Sequence, residues 1–342
     1  MSRETTAEPW SELRHPLVRN LAWCIFSPSL AQTPQNLLGS DQDASAFRMC
    51  QPSFTEEDRQ FLGLLDQSPA PLEKWISSNH TTRLGFQFEY YWQFWWRYRQ
   101  PGYEHRFNVQ LTQGGKTLGE LDALSWNPET RELIHSEMAV KFYLGIESKL
   151  LPAHKRSQES FSWVGPNIID RFDLKWDQLS HRQLQHLQSS EINIDDIVPV
   201  HWECSQLHTQ LIMRGRLFYP FDGGLEGSQL PYINPHHHRG TWMRQSQFFE
   251  HIKGNCADSD HARRRWMALQ RSQWFAPLSI DPRVVDVAGN ASVNKEEVIG
   301  TLSNHFESYR QPVQVAALFL TNGLWQETER IFIVPDQWPT TT

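Results

Sequence analysis

The run Gly119-Glu120-Leu121-Asp122-Ala123-Leu124, followed by His135-Ser136-Glu137-Met138-Ala139-Val140-Lys141, sets acids and a lysine where two adjacent strands could carry them. Side chains alternate faces along a strand, so Glu120, Asp122 and Leu124 share one side, and Glu137, Ala139 and Lys141 share one side of the next. A turn at Asn127-Pro128-Glu129-Thr130 brings Asp122 opposite residue 136 or 137. Carboxylates converging on one point repel unless a cation lies between them. Oxygen-only ligands of this kind suit Mg²⁺ or Mn²⁺ rather than zinc. Such an ion lowers the pKa of a water and stabilises the leaving oxygen in phosphodiester cleavage, while Lys141 would orient the water and neutralise the phosphate. Glu137 interrupts an apolar strand, where a lone charge needs a partner. The non-catalytic alternatives are an ion pair of Lys141 with Glu137 or Glu89, and an Asp122 solvated in its hairpin.

These residues need elements to position them. The spacing predicts strands over about 105–112, 117–126 and 132–142, the last two as a hairpin. Ahead of them, residues 82–99 read as a helix with aromatic side chains on almost every face and Glu89 in its middle, a helix that must be mostly buried. Behind them, residues 168–189 read as a helix. Arg171 and Lys175 share a face near its start, either to touch a nucleic-acid backbone or to pair with neighbouring acids. Further helices are expected over 9–28, over 55–67 with Thr55 as N-cap, and over 293–308 with Asn294 as cap. Residues 29–53 read as a connector. Short apolar runs at 211–220, 274–278, 313–320 and 330–334 read as strands, with the 293–308 helix the one interruption among them. His236-His237-His238-Arg239 reads as a loop in which three consecutive His cannot face one ion and Arg239 could contact phosphate.

The 342 residues, 39% hydrophobic, suffice for a sizeable core. No apolar run reaches the roughly 20 residues of a membrane helix, and the charged start has no signal core. Cys24, Cys50, Cys204 and Cys256 lie far apart, without CxxC pairing, as for idle thiols in a reducing cytoplasm. The net charge of −7 argues mildly against avid nonspecific nucleic-acid binding. The basic runs at His154-Lys155-Arg156 and His261-Ala262-Arg263-Arg264-Arg265 read as solvated faces or loops. The 15 Trp serve core packing more often than base stacking. No Walker loop, GxSxG elbow or GxGxxG fingerprint occurs.

A helix bearing Glu89, a strand reading Gly-Glu-hydrophobic-Asp and a strand reading hydrophobic-Glu…Lys resemble the PD-(D/E)XK superfamily of restriction endonucleases, Holliday-junction resolvases and DNA-repair nucleases. Arg83 to Glu89 looks like its first helix. The resemblance implies Asp122 and Glu137 as metal ligands and Glu89 as the helix carboxylate completing the site. It also implies Lys141 as the motif lysine and Glu120 as a spare acid able to replace a ligand. The usual Glu-x-Lys spacing would place lysine at 139, where this chain has Ala139. Lys141 lies on the same face roughly 6–7 Å further along, and either reaches back or marks a degenerate site. Over nearly its full length the chain is also similar to a bacterial family known as domain of unknown function 1853. The matching stretches are His15–Trp23, Gly119–Leu144, Gly165-Pro166-Asn167 with Asp170-Arg171, Gly215–Pro220 and Arg330-Ile331-Phe332. That likeness implies the nuclease-like fold.

The expectation is therefore an α/β (α+β) protein. Residues 1–59 would form a helical extension, residues 60–215 a restriction endonuclease-like mixed sheet flanked by helices, and residues 216–342 a β-rich part. Its expected activity is Mg²⁺- or Mn²⁺-dependent hydrolysis of DNA or RNA. The rival is a degenerate nuclease fold that binds nucleic acid or protein. A glycosidase ranks below both, because its two acids would not share one hairpin.

Overall fold

The computed structural model describes residues 8–33, 47–113, 116–157, 159–181, 194–224, 230–254, 264–283 and 294–339. His261 to Arg263 and Cys256, singled out above, lie outside them, as do residues 34–46 of the expected connector and 182–189 of the expected helix. In chain order the elements are α1 (Pro16–Phe26), β1 (Arg48–Met49), α2 (Glu56–Gln67), α3 (Ala70–Ser78), α4 (Leu84–Arg99), β2 (Glu104–Gln113), β3 (Lys116–Asn127), β4 (Glu132–Glu147), β5 (Phe161–Val164), α5 (Phe172–His181) and β6 (Gln206–Pro220). There follow β7 (His238–Arg244), α6 (Gln245–Gly254), β8 (Arg264–Ala268), β9 (Ser279–Ile280), α7 (Lys295–Ser308), β10 (Val313–Thr321) and β11 (Leu324–Val334).

The strands join in one mixed sheet ordered β2-β3-β4-β6-β7-β11-β10-β8. Its centre is parallel, from β4 through β6 and β7 to β11. Antiparallel wings of β2-β3-β4 and β11-β10-β8 flank it. The fold is thus α+β, a mixed sheet with helices on its faces. The expected boundary at 215/216 falls inside β6, which pairs with β4 on one side and β7 on the other.

β4 is buried on both faces, as its near-continuous apolar run requires. Met138, Val140, Phe142, Leu144 and Ile146 pack into one cluster with the α1 and α4 aromatics. Ala139 and Tyr143, on the alternate face, pack with Phe172, Trp176 and Leu179 of α5. The aromatic helix is buried as its composition predicts, with Phe88, Trp92 and Phe94 almost wholly inaccessible. Thr55 and Asp58 form the capping box that starts α2, and Asp58 pairs with Arg99 at 2.8 Å, tying α2 to the end of α4. α7 starts at the expected cap, Asn294.

Three expectations need correction. The first helix starts at Pro16, not 9, because the backbone before it is claimed by side chains. Arg19 Nη1 takes the Trp10 and Leu13 carbonyls, and Asp66 takes the Arg14 and His15 amides. Residues 274–278 form no strand, because the carbonyls of Gln273, Trp274 and Ala276 accept from the Arg330 guanidinium instead of a neighbouring strand. The last third holds a second helix, α6, whose Phe248 and Ile252 pack with Val298 and Leu302 of α7 against β7, β10 and β11.

Gly215 pairs with Lys141 across β6 and β4 at φ +152°, and a Cβ there would stand 1.8 Å from the Lys141 carbonyl oxygen. Gly215→Ala therefore forces β6 away from β4. The expected cost is about 3 kcal/mol or more in denaturant unfolding, whereas the same change at unobstructed Gly63 inside α2 should stabilise by roughly 0.5–1 kcal/mol.

Candidate functional site

β3 and β4 pair from Asn127↔Glu132 up to Ala123↔Ser136, and regular pairing stops there. Continuing the register puts Asp122 opposite Glu137, one of the two positions that the turn spacing allows. At that level the strands exchange a different contact, with the Met138 amide donating to Asp122 Oδ2 at 2.7 Å. β2 is irregular at the same level. Asn108, with φ +52°, is skipped in the register between Phe107↔Ala123 and Val109↔Leu121. Its side-chain amide donates to Glu89 Oε2 of α4 at 3.3 Å. One interruption of the ladder thus gathers acids from α4, β3 and β4.

Glu137 is completely buried. Its Oε1 lies 3.0 Å from Nε2 of His135, which is equally buried on the same face of β4. Its Oε2 is inaccessible and meets no hydrogen-bond partner among the described residues. Burial pushes the carboxyl up to about 8, opposed by the Lys175 ammonium and the Asp122 backbone amide. Asp122 is pushed up to about 7, by burial first and then by Glu137, and is held down by the Met138 amide and Lys175. Glu89 rises to about 7 through burial and the nearby Asp122. His135 falls to about 4 through burial, so its imidazole is neutral near pH 7. Acids held this way titrate together and retain protons near neutrality. Glu120 is exposed on β3 and adds its charge to the field on both Glu89 and Glu137.

The structure pairs Lys141 with a different acid. Lys141 points to Asp170, with Nζ 2.5 Å from Oδ2. Lys175, one turn into α5, is the ammonium that acts on both Asp122 and Glu137, and it is itself lowered by burial and by Lys141. Ala139 is part of the apolar contact between β4 and α5, and Lys175 acts on the two acids from α5. Of the other expected contacts, Arg171 is paired with Asp173 and with the Lys155 carbonyl. Arg239 lies over the Tyr219 ring at 4.1 Å. The His run is not a loop throughout, because His238 already opens β7, and His237 is held by Tyr219 and Asn234. His135 and Asn108 were not singled out in the sequence. Their signals are the His-x-Glu spacing on one strand face and an Asn inside a strand, the residue most tolerant of positive φ after glycine.

Glu137 Oε2, an orphaned buried oxygen beside a second carboxylate, fits a hard divalent cation. Among the described residues no three His, Cys, Asp or Glu side chains stand close enough to cage a metal by themselves. The donor set therefore fits Mg²⁺ or Mn²⁺ held by one or two carboxylates, with water or substrate phosphate completing the shell, and not a closed zinc site. A cleft of about 200 Å³ opens beside Lys141, Asp170 and Asn167, and a larger one of about 700 Å³ beside Asn167, Phe306 and Trp338. Neither is lined by Asp122, Glu137 or Lys175.

No helix among the described residues is long and apolar enough to cross a membrane. No curated protein and no solved structure gives a match to the chain. One family model does match, over residues 19–334, from α1 to the end of β11, and the chain belongs to that family, domain of unknown function DUF1853.

Proposed function

We propose that the protein is a divalent-metal-dependent phosphodiesterase acting on nucleic acid, with Asp122 and Glu137 as its metal ligands. The observation that carries this reading is the fully buried Glu137, with one oxygen unmatched among the described residues, the Asp122 backbone amide beside it and the Lys175 charge acting on it. A carboxylate is not kept in such a place by stability, since burial disfavours its charge. The element order supports the same reading. A helix with Glu89, the Gly-Glu-Leu-Asp strand, the strand with Glu137 and a helix with Lys175 follow one another along the chain.

The cation would supply charge stabilisation for the phosphodiester and a lowered water pKa. The chain's own residues do the rest. Neutral His135 fixes Glu137 by its Nε2 contact, so one carboxylate oxygen stays directed at the site. The Met138 amide holds Asp122 in the same way. Lys175 supplies a positive charge against the negative charge that the phosphate gathers in the transition state. Glu89 and Glu120 set the surrounding negative field. Lys141 orders the start of α5 through Asp170 and is a positioning residue.

A second reading, a fold retained for binding without chemistry, has its own support. No three-ligand cage is present among the described residues, and one Asp122 oxygen is committed to the backbone. Mg²⁺ and Mn²⁺ calorimetry at pH 8.5, with cleavage assays on single-stranded, duplex and branched DNA and on RNA, separates the two. Binding and cleavage present in the wild type and lost in Asp122→Ala and Glu137→Ala support hydrolysis. Nucleic-acid binding indifferent to metal and to both substitutions sinks it.

A further inference from the structure

On the sheet face turned to α1, opposite the face carrying Glu137, β6 sends two arginines into the interior. Arg214 is fully buried and Arg216 is 6% exposed. Their hydrogen-bond acceptors are backbone carbonyls. Arg214 Nη2 donates to Ile25 and Cys50 at 3.1 and 3.0 Å, and Arg216 Nη1 donates to Arg239 at 3.1 Å. The adjacent buried Arg330 differs, because Glu327 lies against it and balances its charge. Nε and Nη2 of Arg216 form the two-donor edge of the guanidinium. Both are inaccessible and meet no acceptor among the described residues.

Three more orphaned nitrogens belong to neighbouring rings, those of His238, Trp10 and Trp23. His238 is the register partner of Arg216 on β7, and its Nε2 is enclosed and unmatched although the residue is partly exposed. Its ring lies edge-on to Trp10 at 5.6 Å and stacks on Trp23 at 5.9 Å and 21°. The indole N–H groups of both tryptophans are also buried without an acceptor among the described residues. Burial first, and then Arg216, His237, Arg330 and Arg214 as like charges, keep the His238 imidazole neutral. Glu327 and Glu8 act on Arg216 as opposite charges, but neither pairs with it among the described residues, and a buried guanidinium with unmatched donors is strongly disfavoured. Water would match the donors and leave the charge. An oxyanion meets both demands, because it takes the guanidinium edge with two oxygens and offers acceptors to donors on other sides.

We propose that Arg216, His238, Trp10 and Trp23 enclose a binding site for one small oxyanion of the phosphate or sulfate class. Its occupant is a structural counter-ion that ties β6 and β7 to α1 and to the segment before it. The site lies across the sheet from the carboxylates and stands or falls independently of the hydrolytic reading.

The test uses the full chain, purified in chloride buffers and then denatured, with ion chromatography of the released solute. The wild type is expected to release one phosphate or sulfate per chain, and the ion recovered names the source. Arg216→Met, which keeps the apolar stem, releases none. In parallel, phosphate and sulfate titrations are followed by thermal unfolding against chloride of equal ionic strength. They raise the wild-type midpoint saturably and leave that of Arg216→Met unmoved. Should Arg216→Met not fold, Trp23→Phe keeps the ring packing, removes one donor and weakens phosphate binding about tenfold. A wild type that releases neither ion and gains no saturable stabilisation overturns the proposal. Equal stabilisation in wild type and variant, the mark of a general salt effect, overturns it too.

Discussion

In EDTA, Glu137→Gln unfolds at a higher temperature than the wild type at pH 8.5, and at pH 4.5 the order disappears or reverses. The sign follows from the buried carboxyl. Its ordinary value is 4.5, and the folded protein holds it at about 8. Below pH 4.5 both states carry the proton and nothing is lost. Between pH 4.5 and 8 the unfolded chain ionises while the folded one resists, so stability drains away as pH rises through that window. A shift of this size sets a ceiling on the order of 4 kcal/mol for a fully buried group. Glutamine keeps the shape and cannot ionise, so the variant's profile is flatter, with a gain at pH 8.5 of roughly 5 °C or more. Asp122 and Glu89 slope the same way and leave a residual pH dependence in the variant. Parallel melting profiles for the two proteins from pH 4.5 to 8.5 would show that Glu137 carries no such penalty.

Lys175→Met lowers metal-dependent cleavage by about 10²–10³-fold, the loss usual for a preorganised donor aimed at developing charge, while Lys141→Met costs less than about tenfold. The informative readout is metal binding. Lys175 is a cation facing the two acids that would hold another cation. Removing it takes away like-charge repulsion. At pH 9, where the acids are ionised, Lys175→Met binds Mg²⁺ as tightly as the wild type or more tightly while turning over less. Lys141→Met instead loosens the start of α5 through Asp170, and should affect KM before kcat. The reverse ranking, with Lys141→Met the inactive variant, would return the motif role to the strand.

The parts of the fold governed by local chemistry were legible in the sequence. Thr55 and Asn294 announce their helices through capping, and the Asn-Pro-Glu-Thr turn announces the hairpin that sets Asp122 against Glu137. The carboxylates of the candidate site were legible because an acid in an apolar strand stands out. Lys175 was legible only as one basic residue on a helix face, since its approach to the acids depends on how α5 seats over Ala139. Elements shaped by distant side chains were not legible either. Arg19 and Asp66 delay the start of α1, and Arg330 takes the carbonyls that would have made residues 274–278 a strand. A guanidinium satisfying backbone from another part of the chain leaves no periodicity to read.

The parallel pairing of β4 with β6 also orders events in time. Glu132 pairs with Gln206 and Leu144 with Phe218, so the strand carrying Glu137 is made long before the strand that closes its other edge. A ribosome adding roughly 5–20 residues per second leaves that edge open for several seconds. Until β6 arrives, β4 presents an apolar, unpaired edge of the kind that recruits other chains. Parallel pairing across so long a loop is slow to nucleate. The nascent chain is therefore most exposed to aggregation after β4 is made and before β6 emerges, and the candidate site cannot assemble until that interval has closed.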